Sequence, residues 1–224
     1  MNLKMPYGIS NYEELVTENY YYVDKTKYIE KLEELPEKRI MFLRPRKFGK
    51  TLFTSVLENY YDKNKIDSFE KLYGNTYIGK NPTKLKNSYC ILRFNFSGIN
   101  TENEETTMKG FKEKVTISID GFTKKYGIEF YINPDQTVEG ITRSLIEAFK
   151  IQKPEEKIYI IIDEYDHFAN ELLGFNPEQF RNLVSKNGKV RKWYEILKEG
   201  TETVVDRIFI TGVAPITLDS LTSG

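Results

Sequence analysis

The sequence predicts a three-layer α/β fold, in which a mainly parallel central sheet is flanked by helices. Short apolar runs alternate along the chain with longer segments of helical periodicity, which is the pattern of a parallel sheet with crossover helices. The run at residues 157–162, Lys-Ile-Tyr-Ile-Ile-Ile, is continuous and rich in β-branched residues. Such a run is typical of a central parallel strand that is covered on both faces.

The elements can be assigned in chain order. We expect Asp24 to cap a first helix that ends before Pro36. Residues 39–43 predict a short buried strand, and residues 51–61 carry apolar side chains at helical spacing. The remaining predicted elements are short helices and loops at 62–88, a strand at 89–96, helices at 102–126 and 138–149, the strand at 157–162, a helix at 177–197 and a strand at 207–213.

The composition excludes several kinds of site. The 33 basic residues balance the 33 acidic ones, so no net charge draws the chain to nucleic acid or anionic lipid. Cys90 is the only cysteine and His167 the only histidine, which excludes an internal disulfide and a metal cage built from these residues. No apolar run approaches the length of a membrane span, and the N-terminus has no secretory pattern. We therefore expect a soluble, cytoplasmic single domain over residues 1–224.

Residues 44–51, Arg-Pro-Arg-Lys-Phe-Gly-Lys-Thr, follow the first predicted strand directly. They contain the second half of a phosphate-binding P-loop, Gly49-Lys50-Thr51, between a strand and a helix. In a P-loop, backbone N–H groups and the helix start surround the phosphates. Lys50 would pair with the β- and γ-phosphates, Thr51 would give its hydroxyl to magnesium, and Gly49 would let the backbone approach closely.

Arg44 stands where the first glycine of the usual P-loop pattern belongs. An arginine fits there only if the local φ and ψ suit a residue with a Cβ atom. Two interpretations of Arg44, Arg46 and Lys47 remain open at this point. They form either a solvated basic loop or additional positive charge beside a polyphosphate.

The strand at 157–162 ends in the acid pair Asp163-Glu164, which has the form of a Walker B motif. Asp163 would hold the magnesium ion opposite Thr51, and Glu164 would orient the attacking water. Phosphoryl transfer needs mainly positioning and charge stabilisation, so this small set is chemically sufficient. The alternative is an ordinary acid pair that caps a helix or lies in a loop. We expect Asp166 to cap the next helix.

Two further strands support a hydrolytic site. P-loop ATPases with a catalytic glutamate insert an additional strand between the P-loop strand and the Walker B strand, and residues 89–96 lie between those two in sequence. The last strand carries Thr211 at the place of a sensor residue, where its hydroxyl could bond the attacking water or the γ-phosphate. The alternative for Thr211 is an ordinary strand threonine.

Arg93 lies within a predicted strand and requires a carboxylate partner.

Several motifs together resemble the bacterial AAA-ATPase-like family of P-loop NTPases. They are Tyr7-Gly8-Ile9, Val23-Asp24-Lys25-Thr26, Arg44-Pro45-Arg46-Lys47-Phe48-Gly49-Lys50-Thr51-Leu52, Ile162-Asp163-Glu164-Tyr165-Asp166 and Ile210-Thr211-Gly212-Val213-Ala214-Pro215. The resemblance implies an ATP site with Mg2+ in which Arg44 is a family trait. The implied nucleotide-binding residues are Arg46, Lys47, Phe48, Gly49, Lys50, Thr51 and Leu52, the metal ligands Thr51 and Asp163, and the catalytic residues Glu164, Lys50 and Thr211.

The resemblance also raises expectations about partners. Family members commonly continue into a C-terminal region similar to PD-(D/E)xK nucleases, which these residues lack, so we expect the domain to be truncated at its C-terminus. In related ATPases the segment before the P-loop strand lines the adenine pocket, which suggests base contacts from residues 7–9 and 23–27. A missing arginine finger is compatible with a homo-oligomer.

Two other functions stay open on the sequence alone. The first is a nucleotide-dependent switch or interaction module that binds ATP without turnover and changes its partners. The second is a DNA-associated protein that uses the basic cluster at residues 39–50, because the same charges serve either kind of phosphate.

Overall fold

The computed structural model describes residues 3–184 and 188–215. Their helices and strands alternate as the sequence predicts. In chain order they are α1 (Tyr12–Thr17), α2 (Tyr28–Glu33), β1 (Arg39–Leu43), α3 (Lys50–Tyr61), a 3-10 helix (Lys63–Ser68), α4 (Phe69–Tyr73), α5 (Tyr77–Lys80), β2 (Cys90–Asn95), α6 (Glu104–Tyr126), α7 (Val138–Gln152), β3 (Ile158–Asp163), α8 (His167–Phe175), α9 (Pro177–Val184), α10 (Lys189–Gly200) and β4 (Val205–Gly212).

The strands described form one four-stranded sheet in the order β1-β4-β3-β2. All three strand pairings are parallel. The sheet therefore has one carboxyl edge, at which all the strands end. In open parallel sheets, ligands bind outside this edge.

Helices cover both faces of the sheet, which confirms the predicted three-layer fold. On one face, Ile158, Ile160 and Ile162 of β3 pack with side chains of α6, α7, α8 and α10. On the other face, Tyr159 and Ile161 pack with side chains of α1 to α5. Every residue of β3 is buried, as the continuous β-branched run predicted.

Local sequence signals account for the two long helices. Asn103 accepts a hydrogen bond from Thr106 N at the start of α6, and Gly127 ends this helix with a φ of 62°. Thr137 accepts a hydrogen bond from Gly140 N at the start of α7. The side chains of Asn103 and Thr137 thus satisfy backbone N–H groups at the helix starts, and Gly127 adopts the left-handed conformation that ends α6.

The structure differs from the sequence expectation in the burial of β1, in the cap of α2 and in the extent of one helix. β1 is half-buried, because it has a neighbour on one side only in the part of the sheet described. Asp24 does not cap α2: its Oδ1 accepts from Thr26 N and its Oδ2 from Tyr77 N, so it joins the turn before α2 to the start of α5. The helix predicted at 177–197 is two helices, α9 and α10. The polar turn at residues 222–224 lies outside the described residues.

Cys90 begins β2 and is completely buried. Its Sγ donates a hydrogen bond to Glu156 Oε2 over 2.9 Å. Burial above all, and then the Glu156 carboxylate, raises the pKa of this thiol. Cys90 is therefore a protonated, structural residue far from the carboxyl edge of the sheet.

Candidate functional site

The first feature of the candidate site is the backbone of the loop between β1 and α3. Arg44 N donates to Gly212 O over 3.1 Å, which extends the β1–β4 pairing by one residue into the loop. The backbone then turns through positive φ angles at Lys47, 67°, and at Gly49, 76°. Phe53 N donates to Gly49 O over 2.9 Å, so the N–H groups of Lys50, Thr51 and Leu52 precede the first helical bond of α3. These N–H groups are available to an anion.

Lys50 reaches back into this loop. Its Nζ donates to Arg44 O over 2.9 Å and to Pro45 O over 3.0 Å. The residue is only 8% exposed. The ammonium group is thus held against the backbone of the loop, close to the start of α3.

The side chain of Arg44 turns back along β1. Its Nη1 donates to Leu43 O over 2.7 Å, and its guanidinium lies 4.9 Å from the centre of the Phe42 ring. Arg44 is not among the residues with positive φ, so an arginine fits here without strain. The left-handed conformations occur at Lys47 and Gly49 instead.

Asp163 ends β3 and is completely buried. Its Oδ1 accepts a hydrogen bond from the hydroxyl of Thr211, at the end of β4, over 2.6 Å. Since the one hydroxyl proton of Thr211 is used here, Thr211 can only accept a further bond. Phosphate oxygens of ATP only accept as well, so this arrangement favours contact with a water molecule over contact with the γ-phosphate.

Glu164 follows Asp163 with a φ of 52°. A non-glycine residue in this region is strained and is often found at functional sites. The strand ends at Asp163, and Glu164 is partly exposed. The acid pair at the carboxyl edge therefore combines a partly exposed Glu164 with a buried Asp163.

Arg93 on β2 has the carboxylate partners that the sequence requires. Its Nη1 donates to Glu58 Oε2 over 2.8 Å, and its Nη2 lies 3.4 Å from Asp163 Oδ2. The same Nη2 donates to Thr54 Oγ1 over 3.2 Å. Arg93 thus connects α3 to the acid pair. The charge inside a strand predicted a partner, but sequence alone does not say which carboxylates approach it.

Asp166 connects the turn after β3 to the end of β4. Its Oδ2 accepts from Val213 N over 2.8 Å and from Ala214 N over 2.7 Å. The Tyr165 hydroxyl donates to Ala214 O, and Tyr165 N donates to Thr211 O. Asp166 occupies the N-cap position of α8, but its side chain makes no capping bond there. The prediction that Asp166 caps the next helix is thus wrong. Its side chain instead connects the turn after β3 to the end of β4.

The strand order brings the loop and the acid pair together. β4 lies between β1, which leads into the loop, and β3, which ends at Asp163. The strand at 89–96, which precedes the acid pair in sequence, becomes β2 at the far edge. The strand that lies between β1 and β3 in the sheet is therefore β4, which carries Thr211. The end of β4 contacts the loop through Gly212 O and the acid pair through the Thr211 hydroxyl.

An apolar groove of about 740 Å³ lies beside the loop. The loop and the start of α3 contribute Phe48, Gly49 and Leu52 to its lining. The N-terminal segment contributes Pro6, Ile9, Val23 and Lys25, among others. Tyr7 is 99% exposed. The segments at 7–9 and 23–27 thus reach the groove through some of their residues.

The donor set fits a magnesium ion only in combination with a nucleotide. Within the described residues, no three His, Cys, Asp or Glu side chains are grouped closely enough to hold a metal by themselves. Asp163 and Thr51 offer hard oxygen ligands, and Mg2+ is commonly held by one or two carboxylates, water and substrate phosphates.

None of the helices in residues 3–184 and 188–215 combines the length and apolar character needed to cross a membrane.

Comparison with known proteins agrees with this geometry. A search of curated proteins found no match to the chain. A family model described as Predicted AAA-ATPase matches residues 6–222, which include β1, the loop, the acid pair and β4. This family implies nucleotide binding in general. The chain therefore belongs to the predicted AAA-ATPase family.

Proposed function

We propose that this domain binds ATP with Mg2+ and hydrolyses it to drive or regulate a partner or an attached domain. The observation that carries the proposal is the hydrogen bond from Thr211 to Asp163, on the strand that joins the loop to the acid pair. This strand, β4, lies between a loop suited to phosphate and carboxylates suited to metal and water, at one edge of the sheet.

Each residue has a role that follows from its position. Lys50 and the backbone N–H groups of residues 46–52 would bind the phosphates. Asp163 and Thr51 would hold Mg2+, which when bound neutralises charge on the phosphate oxygens. Glu164, strained and partly exposed, would orient the attacking water, and Thr211 would accept a hydrogen bond from that water.

The apolar groove would take the nucleoside. It adjoins Gly49 at the phosphate end and is lined by Phe48 and Leu52 on one side and by the N-terminal segment on the other. Apolar walls with few polar groups are typical of small-molecule sites. The base contacts from residues 7–9 and 23–27 remain a prediction.

Lys50→Ala tests the binding part of the proposal. We expect wild-type protein to bind a fluorescent ATP analogue in the presence of Mg2+, and Lys50→Ala to weaken binding by about 100-fold because a buried charge-assisted contact is lost. Lys80→Ala removes an exposed lysine on α5 and serves as the matched control with unchanged affinity. Equal affinity of wild type and Lys50→Ala would contradict the proposed site.

Glu164→Gln tests hydrolysis separately. Removal of the group that orients and activates water should lower phosphate release by about 100-fold while nucleotide binding persists. Phosphate release at the same rate in wild type and variant would contradict hydrolysis at this site and favour the non-hydrolysing switch.

A further inference from the structure

An ion pair between Arg93 and Glu58 lies next to Asp163. Neither Arg93 nor Glu58 belongs to the motifs that resemble the family. The role of this ion pair at a metal site rests on the proposed function. Asp163 is completely buried, and a buried carboxylate is costly without a compensating charge. Among the described residues, Arg93 is the one basic side chain within ion-pair distance of Asp163.

The two carboxylates hold Arg93 unequally. The contact from Nη1 to Glu58 Oε2 is 2.8 Å, which is the length of a full charge-assisted hydrogen bond. The contact from Nη2 to Asp163 Oδ2 is 3.4 Å, beyond the usual range for an N–H···O bond. The guanidinium is thus anchored on Glu58 through Nη1 and on Thr54 Oγ1 through Nη2, over 3.2 Å, and is only adjacent to Asp163.

Arg93 also has room to move. Its side chain is 27% exposed. It lines a polar cavity of about 380 Å³ together with Glu58, Ser55 and Asn59. This cavity lies on the α1 side of α3. A guanidinium that keeps its bonds to Glu58 and Thr54, both on α3, can therefore move away from Asp163 without leaving a polar environment.

A cation at Asp163 Oδ2 competes with any metal ion for the same carboxylate. Oδ1 is already engaged by the Thr211 hydroxyl, so Oδ2 is the oxygen that a metal or its water shell would address. We propose that Arg93 is a positioning residue: it compensates Asp163 in the metal-free protein and is held off it by Glu58 when Mg2+–nucleotide binds. The Arg93–Glu58 pair then sets the Mg2+ concentration that the site requires.

This proposal predicts opposite effects for the two partners. Arg93→Gln removes the competitor, so the Mg2+ concentration for half-maximal nucleotide binding should fall by about fivefold to tenfold. Glu58→Gln releases the guanidinium toward Asp163, so the same quantity should rise by about fivefold to tenfold. A role limited to folding would not give shifts of opposite sign.

The measurement is the affinity for a fluorescent ATP analogue across a Mg2+ titration, with an EDTA reference for each variant. Glu13→Gln is the matched control, because it breaks the 2.6 Å pair with Lys65 in the same cavity without touching Arg93. Its Mg2+ requirement should stay within about twofold of wild type. Thermal unfolding without ligand checks that each variant is folded. If Arg93→Gln does not fold, the expected rise in the Mg2+ requirement of Glu58→Gln still tests the proposal.

The outcomes separate the two proposals. Nucleotide binding with a Mg2+ requirement that neither variant changes, or that both change in the same direction, would overturn the role of Arg93 alone. Failure of wild-type protein to bind nucleotide would overturn both this role and the proposed function.

Discussion

The candidate site has two halves, which lie at the same edge of the sheet but are held in different ways. The loop half is residues 44–52. The acid half is formed by Asp163, Glu164, Asp166, Thr211 and Gly212. The loop follows a half-buried strand at the edge, and residues 44–49 are exposed. In the acid half, Asp163 and Thr211 are fully buried and bonded to each other. Substitutions in the acid half should therefore affect folding, and those in the loop should affect it much less.

Gly212→Ala should have the largest effect on stability. An added Cβ would lie 2.3 Å from Tyr165 Cε1 and 2.6 Å from Asp166 Oδ1. Because a ring and a bonded carboxylate must both shift, we expect a loss of about 3 kcal/mol in the free energy of unfolding. Chemical denaturation measures it. Gly121→Ala in α6 is the control, since its Cβ meets nothing within 4 Å and should increase stability slightly.

Asp166→Ala should have the next largest effect. It removes the acceptor for Val213 N and Ala214 N from a residue that is 2% exposed. Partly buried N–H groups without a partner should reduce stability by about 2 kcal/mol. Asp166→Asn keeps one oxygen and should lose less. Equal losses for both variants in denaturation would indicate that the charge, and not the two bonds, stabilises this connection.

The smallest effects are expected in the loop, from a pair of opposite substitutions. Gly49→Ala meets no steric obstacle, so its cost is the positive φ alone, about 1 kcal/mol. Lys47→Gly relieves the same kind of strain and should stabilise the protein by up to about 1 kcal/mol. Thermal unfolding compares the two. Losses as large as that of Gly212→Ala would contradict the difference between the halves.

The sequence carries enough local information to predict most of this fold. The β-branched run before Asp163 predicted the central buried strand, and Gly49-Lys50-Thr51 between an apolar run and an amphipathic segment predicted the turn from β1 into α3. These signals are local, because periodicity and glycine placement reflect the conformation of the same residues. For that reason α6 and α7 were also predicted to within a few residues.

Long-range contacts could not be predicted in the same way. The contact of Arg93 with Glu58 and Asp163 joins residues that are 35 and 70 positions apart. The sequence order placed the strand at 89–96 between the loop and the acid pair, whereas the sheet places β4 there. Such choices depend on how helices pack on each face of the sheet, and no motif encodes them.

Cys90 offers a practical route to observing the loop. It is the only thiol of the chain, and it is buried with its pKa raised. Phe48, in contrast, is 61% exposed beside the groove. A fluorophore attached to a cysteine introduced at Phe48 would therefore label one position while the native thiol stays unreacted. Because Phe48 lines the groove, the emission of the label on Phe48→Cys would report changes at the loop and in the groove together.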